Sequence, residues 1–505
     1  MTHDMTHEMP HELKRRALIK GIAAAAIAVP MVGIAGSAYA AGAAPAASTA
    51  SGSLAFDPDA YTEITTTITT DDGDKEVTYH FWSAITYVTD PVDETYQSLT
   101  VSVPVSIDGT AVDATDAPIL VANSIGGYLP SSVSSNTGVS SSRAQLAIAA
   151  GYVAVEPGAR GRTLVDSSGD YYGTAPAAIV DLKAAIRYVR YNAGTIPGDT
   201  DKIVTAGTSA GGALSALLGA SGGSSLYDDY LSELGAADAD DVIYATGAWC
   251  PITDLENADG AYEWCWGTNT LSSGEEVDQD VSADLKALFE TYQTSLGLTA
   301  DDYGTITTDN LDDYLLATYL IPAATSYLAD LSDSDRTTYL SSNTFITWDG
   351  SAASFSWSDY LDHVGSRGKD APAFDAFDLS AGENNEFGVD TTEARHFTDY
   401  SLANDTSGTG GTSLDSDIPA KLELMNPMYF IGDGNDDRAK YWWIRTGTKD
   451  TDTSLTILGN LALSLENLGD DVNALMYWDA AHGADEDPAD FITWIGDVTG
   501  YTAQS

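Results

Sequence analysis

The chain has 505 residues, 43% of them hydrophobic and 10% aromatic, and its 22 Lys+Arg stand against 75 Asp+Glu for a net charge of −53. That apolar content supplies a buried core and excludes a generally disordered chain. An acidity this strong repels phosphate backbones and anionic headgroups, so nucleic acid is not an expected partner; the charge itself reads as solubility and carries no function.

The first element is an address. Arg15 and Arg16 precede an uncharged stretch, Gly21 to Ala40, that ends in Ala38-Tyr39-Ala40, a small-x-small cleavage pattern. Residues 1–40 resemble a bacterial twin-arginine signal peptide, which predicts export to the periplasm or the medium and no membrane association after cleavage. A retained anchor is the competing reading, against which Pro30 and the Ala/Gly content weigh. Residues 41–56 read as a flexible leader. No later segment approaches 18 consecutive apolar residues. Two cysteines, Cys250 and Cys265, exclude a disulfide-stapled scaffold and a cysteine-rich metal site; whether they pair with each other or lie separately in the core stays open.

From 57 to 108, three segments rich in Thr, Val, Ile, Tyr and Phe (Tyr61 to Thr69, Glu76 to Val88, Gln97 to Ile107) predict antiparallel strands separated by turn signals. Short apolar runs then alternate with helical patterns. The predicted strands are Pro118 to Ala122, Tyr152 to Val155, Lys202 to Ala206 and Val242 to Ala248; the helices are Arg143 to Ala150, Pro176 to Asn192 and Gly211 to Gly219. The alternation stops at 251 and resumes at Tyr441 to Thr446 (strand), Ser454 to Leu468 (helix), Val472 to Trp478 (strand) and Pro488 to Val498 (helix). The expectation is an α/β fold, a mostly parallel sheet with helices on both faces, over 57–250 and 438–505. Residues 251–437, irregular and rich in Asp, Ser and Thr with scattered helical pieces and aromatics, are expected to form an inserted lid that shapes the substrate site.

Gly207-Thr208-Ser209-Ala210-Gly211 lies between a predicted strand and a predicted helix, the context that makes G-x-S-x-G a nucleophile elbow of the α/β-hydrolase fold. A serine hydroxyl needs a base beside it. In chain order Ser, acid, His, the base follows the last strand and the acid follows the strand before it, which selects His482 and Asp450. Asp452 is the rival acid and Asp254 a weaker one; His80 lies in a strand, and His363 and His396 lie in the insertion. Oxyanion donors are expected from Ala210 and from the Ile125-Gly126-Gly127-Tyr128 loop, with Gly126 and Gly127 equally placed. Asp433 to Asp437 lacks the glycine and distal glutamate of a calcium loop and reads as a solvated turn. No cofactor or metal is called for.

Several further motifs accompany the elbow: Ala177-Ala-Ile-Val-Asp-Leu-Lys183, Cys250-Pro-Ile-Thr-Asp254, Asn426-Pro427-Met428, Gly447-Thr-Lys-Asp-Thr-Asp-Thr453 and His482-Gly483. Together they resemble the subtype B bacterial tannases (tannin acyl hydrolases), α/β-hydrolases that release gallate from galloyl esters. The resemblance implies ring-reading roles for Lys369 and Glu383 in the insertion and for Asp452, two residues after the triad aspartate. Two carboxylates and one ammonium suit three vicinal phenol hydroxyls, which need acceptors for their protons and a donor for their oxygens. The competing functions are a feruloyl or chlorogenate esterase, a general carboxylesterase, a peptidase, and a non-catalytic polyphenol-binding protein. The oligomeric state is not legible.

Overall fold

Three strands open the chain as an antiparallel meander, β1 (Thr62–Thr70), β2 (Gly73–Thr86) and β3 (Ser98–Ile107). In the computed structural model, residues 53–409 and 411–502 are described; the predicted signal peptide and leader residues 41–52 lie outside them. A two-residue β4 (Thr110–Ala111) folds back on β3. The short apolar runs follow as β5 (Pro118–Ala122), β6 (Val153–Pro157), β7 (Asp199–Thr208), β8 (Ala245–Trp249), β9 (Tyr441–Gly447) and β10 (Asp471–Tyr477). Apart from β4, the sheet order is β1-β2-β3-β6-β5-β7-β8-β9-β10, and every neighbour from β6 onward runs parallel.

Every residue of β5, β6 and β8 is buried, because a parallel sheet is covered on both faces. Alternate side chains divide between two cores. Ile119, Val121 and Ile203 pack with α2 (Ala177–Tyr191), α3 (Ala210–Ala220) and α5 (Leu455–Asn467); Leu120, Val204 and Trp443 pack with α1 (Ser142–Ala149) and α6 (Pro488–Thr499). This is the mostly parallel sheet of the α/β-hydrolase fold. β8 and β9 are neighbours in the sheet although the chain between them runs through the whole insertion, so that insertion leaves and re-enters at the sheet.

The helical pieces expected in the insertion are more extensive than its composition indicates. It opens with α4 (Leu255–Trp266) and contains further helices at Gln279–Ser295, Ile321–Asp330, Asp333–Ser342 and Trp357–Val364. The Asp and Ser residues that read as loop are in part helix caps: Asp278 accepts from Asp280 and Val281, Ser332 from Asp335, and Ser356 forms a capping box with Asp359. The two cysteines are both free and buried, and burial pushes the Cys265 thiol up to about 12. Among the described residues, no helix is long and apolar enough to cross a membrane.

A buried ion pair fastens α2 beneath the sheet. Lys183 Nζ donates to Asp241 Oδ1 and to the Ser221 carbonyl, each at 2.8 Å, and both charged side chains are fully buried. Asp241 keeps a second cation, Arg187, whose Nε donates to Oδ2 at 2.8 Å, so Lys183→Met removes one charged hydrogen bond of the pair without stranding the carboxylate and should cost about 1.5–3 kcal/mol, read by denaturant unfolding.

Candidate active site

Ser209 stands between β7 and α3 with φ 62 and ψ −124, a left-handed conformation that few non-glycine residues adopt. Three positions close to it, 207, 211 and 212, must be glycines. A Cβ on Gly207 would lie 2.2 Å from the Gly211 carbonyl oxygen, one on Gly211 2.4 Å from Asn123 Oδ1, and one on Gly212 2.4 Å from the Trp249 carbonyl oxygen. The turn is closed by Ser209 N–H donating to Trp249 O at 2.9 Å and Gly211 N–H to Ile125 O at 2.9 Å.

The loops after β9 and β10 bring the other two side chains to it. His482 Nε2 lies 2.8 Å from Ser209 Oγ, and Nδ1 lies 3.0 and 2.9 Å from the two oxygens of Asp450. Asp450 is fully buried and also accepts from Thr446 Oγ1 at 3.1 Å and from the Asp452 N–H at 3.0 Å. The approach of these loops requires Gly447, where a Cβ would sit 2.1 Å from Ala480 O. Burial disfavours the His482 cation, but the bond to Asp450, then Cys250 and the Asp450 charge, outweigh it and hold the imidazole above its ordinary 6.5. Cys250, Asp450 and His482 lie close enough to share an ion, but His482 Nδ1 and Asp450 already bond each other.

Ala210 begins α3, so its N–H stands at the helix terminus directly beside the serine. Gly126 and Ser209 line one cavity of about 330 Å³, with Ser124, Arg143 and Thr208. Gly127 follows at φ 56.

Lys369 and Glu383, both partly buried, meet with Nζ 3.9 Å from Oε1, and the ammonium lies 3.7 Å from the Phe374 ring centroid. Asp452 is exposed and its backbone is tied to Asp450; the cap of α5 is Ser454, not Asp452. The lysine loop and the acid loop are joined by a residue that no spacing pointed to. Tyr262, from α4, accepts from the Gly368 and Lys369 N–H groups at 3.1 and 3.0 Å and donates to the Thr451 carbonyl at 2.7 Å.

The remaining candidates lie elsewhere. Asp254 is buried and bonded to Tyr292, Asn257 and Asn426. His363 pairs with Asp479 at 2.6 Å, His396 with Asp375 and Asp405, and His80 stacks on Tyr61. In the 433–437 turn, Asn435 donates to the Ala220 and Gly222 carbonyls, an anchoring role.

A family model described as BD-FAE matches residues 109–284. Esterase LipQ of Mycobacterium tuberculosis is 38% identical over 90 residues, 18% of this chain, and the match spans only 20% of that curated relative. Far longer similarities come from solved structures: the Fusobacterium nucleatum tannase (36% identity, TM-score 0.77) and the native tannin acyl hydrolase of Lactobacillus plantarum (36%, 0.78). A tannin acyl hydrolase in complex with ethyl gallate is also 36% identical, at TM-score 0.78. Each covers 88% of this chain and 99% of its own. Fold and similarities together define a carboxylic ester hydrolase built on the α/β-hydrolase fold. Within that class, the chain belongs to the tannase (tannin acyl hydrolase) family.

Because Asp450 favours the His482 cation, an NMR titration of the His482 imidazole should show it charged well above pH 6.5. Asp450→Asn removes the main partner and should move the midpoint down; an unmoved midpoint would show that another group sets it.

Proposed function

We propose that this enzyme hydrolyses galloyl esters to free gallate and an alcohol through a Ser209 acyl-enzyme, and that it does so outside the cytoplasm. The observation that carries the reading is the placement of Lys369 and Glu383 3.9 Å apart, with the loop of Lys369 bonded through Tyr262 to the loop of Asp450 and Asp452. An ammonium and two carboxylates on tied loops give a trihydroxyphenyl ring one donor and two acceptors. The relative solved with ethyl gallate and another solved with 3,4-dihydroxybenzoate support this substrate class. The twin-arginine pattern at Arg15-Arg16 supports export.

In the proposed reaction, His482 Nε2 takes the Ser209 proton as Oγ attacks the ester carbonyl. The new oxyanion is held by the Ala210 N–H and by the loop at Gly126 and Gly127. Asp450 orients the imidazole and stabilises the imidazolium, which then protonates the departing alcohol as the acyl C–O bond breaks. Water, deprotonated by the same imidazole, attacks the galloyl-serine; as the Ser209 Oγ–acyl bond breaks, the imidazolium returns that proton to Oγ, gallate leaves and the neutral histidine is restored. The base must be neutral, so a raised His482 pKa places the acidic limb of the rate profile above the ordinary imidazole value, with activity rising as pH rises through it.

Ser209→Ala should lower turnover about 10⁴-fold or more and abolish fluorophosphonate labelling, which a non-catalytic binding protein would not show in the first place. Methyl gallate, methyl ferulate and a short p-nitrophenyl ester, assayed side by side, discriminate the substrate classes; good ferulate cleavage without gallate cleavage overturns the galloyl reading in favour of a feruloyl esterase. Lys369→Ala should cost about 10- to 100-fold on methyl gallate, the worth of one charged hydrogen bond, and much less on the p-nitrophenyl ester. Equal loss on both removes Lys369 from ring recognition.

A further inference from the structure

The loop expected to supply an oxyanion donor is conformationally expensive. Gly127 and Tyr128 are consecutive residues at positive φ, 56 and 54, and Tyr128 is not a glycine. One residue holds both. The Arg162 N–H donates to Tyr128 O at 3.0 Å, and Arg162 Nε donates to Gly127 O at 2.7 Å. The same guanidinium reaches the lid: Nη1 donates to Asn385 Oδ1 at 3.0 Å, in the short helix Gly382–Glu386 that also carries Glu383. Position 382 is a glycine at the point of contact, where a Cβ would lie 2.7 Å from Arg162 Nη2. Asn385 is itself fixed, donating to the Glu393 carbonyl at 3.3 Å.

We propose that Arg162 is a positioning residue that sets the oxyanion loop and the ring-reading helix of the lid with one rigid fork, so that a correctly seated acyl group and a correctly formed oxyanion hole come together. The proposal rests on the galloyl reading of Glu383 above. Only a guanidinium fits this task. Its planar donors point in fixed, divergent directions, one at the Gly127 carbonyl and one at Asn385, whereas a lysine ammonium is a point charge on a flexible stem. In wild type the fork moves no proton and touches no reacting atom; it determines where the Gly126–Tyr128 backbone points and how far Glu383 stands from it.

The experiment compares wild type, Arg162→Gln, Arg162→Lys and Asn385→Ala on methyl gallate and on methyl benzoate, which lacks the ring hydroxyls, with Tm recorded for each. Arg162→Gln should lower kcat on both esters by about 10- to 100-fold, part of the about 10²–10³ that a lost oxyanion donor costs. It should also narrow the gallate-over-benzoate preference, and added ethylguanidinium should restore part of kcat. Arg162→Lys should not rescue either effect. Asn385→Ala severs only the lid end and should narrow the preference with the smaller loss on benzoate. Arg162→Gln protein with wild-type kcat and preference, or with a lowered Tm as its only change, overturns the proposal. So does a kcat loss that ethylguanidinium does not relieve and that leaves the preference intact. Failure of the underlying galloyl reading shows separately, as a wild type that does not prefer methyl gallate to methyl benzoate; that result removes the ring-reading half of the proposal by itself.

Discussion

Everything at the site hangs on a turn too tight for side chains. At φ 62 and ψ −124, Ser209 holds a backbone conformation that costs of order 1–3 kcal/mol and survives only where its surroundings impose it. The imposition is steric: Gly207, Gly211 and Gly212 each sit within 2.4 Å, measured from a notional Cβ, of an atom across the turn. These contacts tie the elbow to Asn123 on the loop after β5 and to Trp249 at the end of β8, and Asn123 Nδ2 adds bonds to the Ala206 and Gly211 carbonyls. The hydroxyl is thereby fixed relative to the sheet before any other loop is considered, and the 2.8 Å separation from His482 follows from where the sheet ends, not from flexible side chains finding each other.

The insertion braces this geometry from a second side. Three of its aromatic side chains bond the backbone of the loop that carries Asp450: Tyr262 donates to Thr451 O and Trp266 Nε1 to Thr453 O, each at 2.7 Å, and Tyr360 donates to Thr448 O. The acid loop is thus held from one side by β10, through Thr448 N–H to Tyr477 O, and from the other by the insertion. Buried carbonyls need partners, and here the partners come from a segment remote in sequence, so lid and acid loop must fold as one unit.

This also explains what could be read in the sequence. The sheet was legible because β5, β6 and β8 are buried along their whole length and so appear as unbroken apolar runs. Ser209, Asp450 and His482 were legible because a sharp turn and a fixed order of strand ends restrict where such residues can stand. The lid helices were legible only as scattered pieces without bounds, because Asp278, Ser332 and Ser356 serve as caps in segments whose apolar stripes are narrow. Tyr262 and Arg162 were illegible as tethers for a different reason: each acts by bonding backbone groups on a loop distant in the chain, and a backbone carbonyl leaves no mark on residue type. Lys369 and Glu383 came only from family resemblance, since a lysine and a glutamate on polar loops are otherwise indistinguishable from solvent-facing residues.

The charge balance takes on a structural meaning at the same point. With 22 Lys+Arg against 75 Asp+Glu, cations are scarce, and many of them are interior struts. Arg160 bonds Asp181, Lys183 bonds Asp241, Arg367 bonds Glu263, Arg438 bonds Asp470 and Arg445 bonds Asp487, each with a buried basic side chain. Each strut commits one of the scarce cations to an ion pair with a buried basic side chain, where it cannot offset the acidic groups at the surface. Lys369 is placed differently. It remains partly exposed, its nearest carboxylate stands 3.9 Å away, beyond hydrogen-bonding reach, and its ammonium rests over the Phe374 ring. A cation with a loose partner keeps donors for something else, and the second cation at that end of the lid, Arg162, is already committed to Asn385 and to the Gly127 carbonyl.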